Sequence, residues 1–100
     1  MSAPRVEARH TPVVRRKVTI ENDLGLHARA AARFVETAGG FDAEISVAKS
    51  GVVVSGLSIM GLMMLAAVPG TEIELLATGS DAEAAVEALA RLIATRFDEG

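Results

Sequence analysis

Three short stretches of this chain place an apolar residue at every second position. Val18 and Ile20 alternate with Lys17, Thr19 and Glu21; Ile45 and Val47 with Glu44 and Ser46; Ile73 and Leu75 with Glu72 and Glu74. A period of two sends apolar side chains to one face and polar ones to the other, the mark of a half-buried strand. Val52-Val53-Val54-Ser55, just past Lys49-Ser50-Gly51, reads as the returning arm of a hairpin. Between these runs the period lengthens to that of a helix. Ala31, Phe34, Val35 and Ala38 share one face of a first helix, leaving Arg29, Arg33 and Glu36 outside; Ala85, Val86, Leu89, Leu92 and Ile93 form the stripe of a last one. The resulting order is strand, helix, two strands, helix, strand, helix. It predicts a two-layer α+β domain, an open-faced sandwich with helices on one face of an antiparallel sheet and water on the other. The order of strands within the sheet does not follow from this pattern.

Local signals set the boundaries. Asn22-Asp23-Leu24-Gly25 is turn chemistry before the first helix, and Gly39-Gly40 stops it. Ser58 stands at a cap position before Ile59, and Pro69-Gly70 closes the second helix. Ser80-Asp81-Ala82-Glu83 has the pattern of a capping box for the third. Residues 1–12, which include His10, mix charged, small and proline residues without periodicity and are expected to be a mobile tail; residues 13–100 are expected to form the domain.

Composition excludes several functions. The net charge is −3 and the only aromatics are Phe34, Phe41 and Phe97, so there is neither a basic surface nor a stacking platform for nucleic acid. The chain has no cysteine and two distant histidines, which leaves no thiolate nucleophile and no expected metal site. No apolar run is long enough to span a bilayer, and the first residues lack the apolar centre of a secretory signal. A cytoplasmic protein is expected.

The chemistry concentrates in Gly25-Leu26-His27-Ala28-Arg29-Ala30, where a loop turns into an alanine-rich helix. The first amides of a helix lack partners within it, and its dipole makes that end partly positive. Such a position favours a neutral, nucleophilic imidazole. A phosphoryl group taken up by His27 would meet backbone N–H groups and Arg29. A histidine at a helix start is by itself an ordinary surface or capping residue, so the motif needs company. The second unusual stretch is Ile59-Met60-Gly61-Leu62-Met63-Met64-Leu65, apolar around nearly its whole circumference. Leu62 and Leu65 fit a core role, whereas flexible methionines also suit a surface that receives several partners. Gly61 in a helix interior points to a close approach there. Ser58 reads as a helix cap and, where a kinase exists, as a phosphorylation site. No phosphate-binding loop, nucleophile elbow or carboxylate partner for His27 is present as a pattern.

These two segments, together with the element order, resemble the histidine-containing phosphocarrier (HPr) family of the bacterial phosphoenolpyruvate-dependent phosphotransferase system. Gly25-Leu26-His27-Ala28-Arg29 is similar to its active-site signature and Ser58-Ile59-Met60-Gly61-Leu62-Met63 to its regulatory serine segment; the likeness covers about residues 14 to 97. The resemblance implies a sheet order of first, fourth, second, third, with three helices on one face. It implies a carrier rather than an enzyme, without cofactor. His27 would accept a phosphoryl group on Nδ1 from phospho-enzyme I and pass it to a histidine of a IIA domain, with Arg29 as charge partner. Ile59, Met60 and Met63 would form the docking surface, and Ser58 would be the target of HPr kinase/phosphorylase. A monomer is expected, since the transferring face must stay clear. Three departures stand out: Ala30 replaces the usual proline, Leu57 the lysine common in Gram-positive members, and the tail is longer. The wording from Leu57 to Met64 is closer to the nitrogen-related branch of the family. Two other readings are a regulatory binding protein controlled through Ser58 without obligatory histidine transfer, and a small hydrolase, for which no water-positioning signature is visible.

Overall fold

A computed structural model describes residues 12–98. The tail reading for residues 1–12, with His10, lies almost wholly outside the described residues. Strand β1 (Val14–Thr19) leads to helix α1 (Ala28–Ala38), the hairpin β2 (Glu44–Lys49) and β3 (Val52–Ser55), helix α2 (Ile59–Met64), strand β4 (Glu72–Thr78) and helix α3 (Ala82–Ala94), with a final tight turn at Arg96–Asp98. The four strands form one antiparallel sheet in the order β1-β4-β2-β3. The expected open-faced sandwich and the order implied by the resemblance are both present.

Register carries the alternation into the core. Val18 sits opposite Ile73 and Val47 opposite Leu75, so the apolar positions of neighbouring strands fall on the same face. On that face Ile45, Val47, Ile73, Leu75 and Ala77 are buried against Phe34 of α1, Leu62 of α2 and Leu89 and Ile93 of α3. The opposite face keeps its polar alternates near water, with Arg15 and Glu74 paired across β1 and β4 at 3.7 Å. The hairpin turns on Ser50 and Gly51, both with positive φ (52° and 84°), the backbone that a two-residue turn between right-twisted strands needs.

The predicted capping box at the start of α3 is corrected. Asp81, not Ser80, is the N-cap residue, and its side chain makes no cap hydrogen bond. Both side chains turn instead to the loop before β2. Asp81 Oδ2 accepts from the Asp42 N–H at 2.8 Å, and Ser80 Oγ donates to Asp42 Oδ2 at 2.9 Å. Asp42 also reaches back, its carbonyl accepting from the Asp81 N–H at 3.0 Å. A distant loop with an unsatisfied amide and carboxylate competes for the oxygens that the local pattern would assign to the helix.

Candidate functional site

The loop before α1 is built around the Gly25 carbonyl. Gly25 has φ +65°, and its N–H donates to Asn22 O at 3.1 Å, closing a tight turn. Asn22, the one buried polar side chain among the described residues, donates from Nδ2 to Gly25 O at 2.7 Å. His27 Nδ1 lies 3.1 Å from the same carbonyl. A carbonyl oxygen has two lone pairs and can only accept, so that second hydrogen bond requires the proton on Nδ1. The sequence marked Asn22 as a turn residue; its burial and its grip on the loop emerge only from the fold.

The turn is locked against the chain that leaves α2. Leu26 N–H donates to Ala67 O at 2.9 Å, and a Cβ on Gly25 would lie 2.5 Å from that same oxygen. Only glycine permits both the positive φ and the contact. The lock points His27 into the N-cap position of α1 with extended backbone, its carbonyl accepting the Ala31 N–H at 2.8 Å. The half-buried imidazole does not cap the helix, so the first amides of α1 keep their usual lack of partners within the helix. Ala30, where the resemblance expects proline, is fully buried. Its small side chain seats the first turn of α1 on the core, and the start angle is held by the Asn22–Gly25 turn.

His27 opens into a cleft lined by Asn22, Asp23, Leu24, Ala28, Arg29 and Arg96. Arg29 and Arg96 are both exposed, and among the described residues neither guanidinium has an ion-pair partner. The structure therefore brings His27 and Arg29 together as the sequence anticipated, and adds Arg96, which no sequence pattern had marked. No group of metal-ligating side chains occurs among the described residues, and none of their helices is long and apolar enough to cross a membrane.

Ser58 lies at the other motif. Its Oγ accepts the Gly61 N–H at 2.9 Å, so it caps α2 as predicted. Gly61 is explained by packing within the domain: a Cβ there would lie 3.0 Å from Ser58 Oγ and 3.1 Å from Val54 Cβ. At the far end of α2, Lys49 Nζ donates to Leu65 O at 2.8 Å and reaches Ala66 O at 3.4 Å, placing a cation on the last carbonyls. Leu62 and Leu65 are buried, as expected, while Ile59, Met60, Met63 and Met64 are exposed, Met60 at 69% and Met64 at 76%. Leu57, Leu24 and Val68, which sequence reasoning did not assign to this surface, are also exposed.

With this geometry in view, the likeness to known proteins is specific. A family model described as "PTS HPr component phosphorylation site" matches residues 14–95. A phosphocarrier protein HPr of Neisseria meningitidis is 49% identical over 88 residues, covering 88% of this chain and 99% of the relative. A phosphocarrier protein NPr of Shewanella violacea is 46% identical over 84 residues, covering 84% of this chain and 92% of that one. The crystal structure of an HPr from Thermoanaerobacter tengcongensis superposes with a TM-score of 0.83 at 42% identity, over 87% of this chain and 98% of that one. Family match, sheet order and helix arrangement agree, and the chain belongs to the HPr family of phosphocarrier proteins.

Proposed function

We propose that this protein carries a phosphoryl group on His27, taking it from the phosphohistidine of enzyme I and giving it to a histidine of a IIA domain in the cytoplasm. The observation that carries this reading is the placement of the His27 imidazole at the N-terminus of α1, in an open cleft that it shares with Arg29. In each transfer a bond forms between phosphorus and an unprotonated ring nitrogen of the acceptor. The nitrogen–phosphorus bond of the donor breaks, and its electron pair returns to the donor ring. Donor and acceptor are the same chemical group, so the exchange needs no net proton. Positioning and charge stabilisation of the transferred group remain as the protein's task. Arg29 supplies charge, and the amides at the start of α1 supply hydrogen bonds.

The nitrogen that attacks must not bear a proton. Nδ1, the nitrogen implied by the family likeness, stands against the Gly25 carbonyl. Attack through Nδ1 therefore begins with that contact broken, by rotation of the ring or transfer of its proton to Nε2. A docking partner that turns the imidazole toward the cleft would do this and couple activation to binding.

Ile59, Met60 and Met63 form the docking surface in this reading, presented on a short helix whose ends are fixed by Ser58 and Lys49. The carrier acts as a monomer, which keeps that surface open to successive partners. Ser58 is the site of regulatory phosphorylation by HPr kinase/phosphorylase. A phosphate there adds between one and two negative charges beside the methionines and weakens docking. Identity to relatives named HPr and NPr is similar, so assignment to the sugar-related or nitrogen-related branch rests on the identity of the IIA acceptor.

The test is phosphotransfer from phosphoenolpyruvate through enzyme I with Mg²⁺, followed by intact mass, with His27→Ala and Ser58→Ala in parallel. An acid-labile phosphate absent only from His27→Ala is the expected result. A folded protein that stays unlabelled while the same enzyme I charges another carrier would overturn the proposal in favour of a binding protein regulated through Ser58.

A further inference from the structure

The cleft at His27 is completed from the opposite end of the chain. Arg96 follows α3 in a turn where Arg96 (φ 56°), Phe97 (φ 54°) and Asp98 (φ 61°) all have left-handed backbone, and none of them is glycine. L-residues avoid this region because Cβ crowds the following carbonyl. A run of three persists only where the surroundings hold it, and such outliers gather at functional sites.

The anchors here bracket Arg96. Before it, Thr95 N–H donates to Arg91 O at 3.0 Å and Thr95 Oγ1 to Leu92 O at 3.0 Å. After it, Phe97 is buried to 1% exposure, and Asp98 pairs with Arg33 of α1 while its N–H donates to Thr95 O at 2.9 Å. Phe97 and Asp98 are thus committed to the core and to α1. Arg96, between these anchors, lines the cleft opposite no acid that pairs with it among the described residues. Arg29 is in the same state, and Asp23 is the one carboxylate among the described residues lining the cleft. Two guanidinium groups that line one cleft with a histidine repel each other, and an anion bound between them relieves the repulsion. A phosphoryl group on His27, with three oxygens and about two negative charges, has the charge and the acceptors to fill that role, and the planar guanidinium fork suits it.

We infer that Arg96 is a second phosphoryl-binding arginine, which with Arg29 holds the oxygens of the phosphoryl group on His27. The inference rests on the reading of His27 as the phosphoryl acceptor. Arg96 makes and breaks no covalent bond; it contributes charge and hydrogen bonds to the phosphorylated form.

The equilibrium constant for phosphoryl exchange between enzyme I and this protein separates this role from a docking role. Docking alters how fast the exchange equilibrates, but the equilibrium depends only on the separated proteins. Arg96→Gln should shift it toward phospho-enzyme I by about fivefold or more, Arg96→Lys by less, with the melting temperature unchanged in both. The phosphorus NMR signal of the isolated phosphoprotein should also move in Arg96→Gln. A labelled wild type with an unaltered equilibrium and signal in Arg96→Gln overturns the inference and leaves the carrier function standing, and slower exchange with an unaltered equilibrium assigns Arg96 to docking and also overturns it. Failure of the wild type to be labelled on His27 would instead remove the carrier reading itself.

Discussion

Gly25 carries two constraints that no other residue type meets together. Its φ of +65° strains any side chain, and its Cα faces the Ala67 carbonyl so closely that a methyl group would collide with it. The same oxygen accepts the Leu26 N–H, so displacing it also breaks a hydrogen bond. Gly25→Ala is expected to cost about 2–3 kcal/mol, the sum of left-handed strain and one lost bond, read by urea denaturation. The cost should be accompanied by slower labelling of His27, because the turn at Gly25 and its lock on Ala67 place that residue at the start of α1. At this scale the sequence was informative where residue type alone sets the geometry: a glycine ending a turn, a serine before an apolar helix. It was silent on Arg96. A single arginine in a polar terminal stretch has no periodicity, and its place in the cleft depends on Phe97 entering a core assembled from the whole chain.

Among the elements, α2 depends most on what surrounds it. Six residues cannot sustain a helix alone, since nucleation outweighs the few hydrogen bonds they offer. Leu62 and the following Leu65 bury it, Ser58 closes its first turn, and Lys49 reaches from β2 to its last carbonyls. Lys49→Met keeps the aliphatic stem and removes the donor. It should cost about 1–2 kcal/mol and raise amide exchange in α2 more than in α1, measured by hydrogen exchange followed by NMR. The alternating runs made β1, β2 and β4 legible and the helical stripes α1 and α3, because those periods are local, while turn and cap residues marked β3 and α2. The capping box at Ser80–Glu83 was misread for the opposite reason. Asp42 lies far away in sequence, and the pattern of four residues contains no sign that it will claim both oxygens. Strand order was likewise out of reach of the pattern, since pairing of β1 with β4 is settled by register and packing across the chain; it came from the family likeness.

In the molecule as a whole, stability and the proposed docking fall to different surfaces. The core lies between the sheet and the helices, whereas Leu24, Leu57, Met60, Met64 and Val68 remain exposed and add little to it. Met60→Glu should change the stability by less than about 0.5 kcal/mol while weakening enzyme I binding severalfold, as measured by thermal melting and by titration. The sheet order has a further consequence for the chain as it is being synthesised. Because β4 lies between β1 and β2, the first strand has no neighbour until residues 72–78 have emerged from the ribosome. The β2–β3 hairpin can form early, but β1 and the His27 loop wait for a segment made much later, and the cleft waits longer still for Arg96. A nascent chain thus carries its histidine well before residues 72–98 supply the strand and the arginine that surround it, and the proposed phosphoryl transfer waits for them.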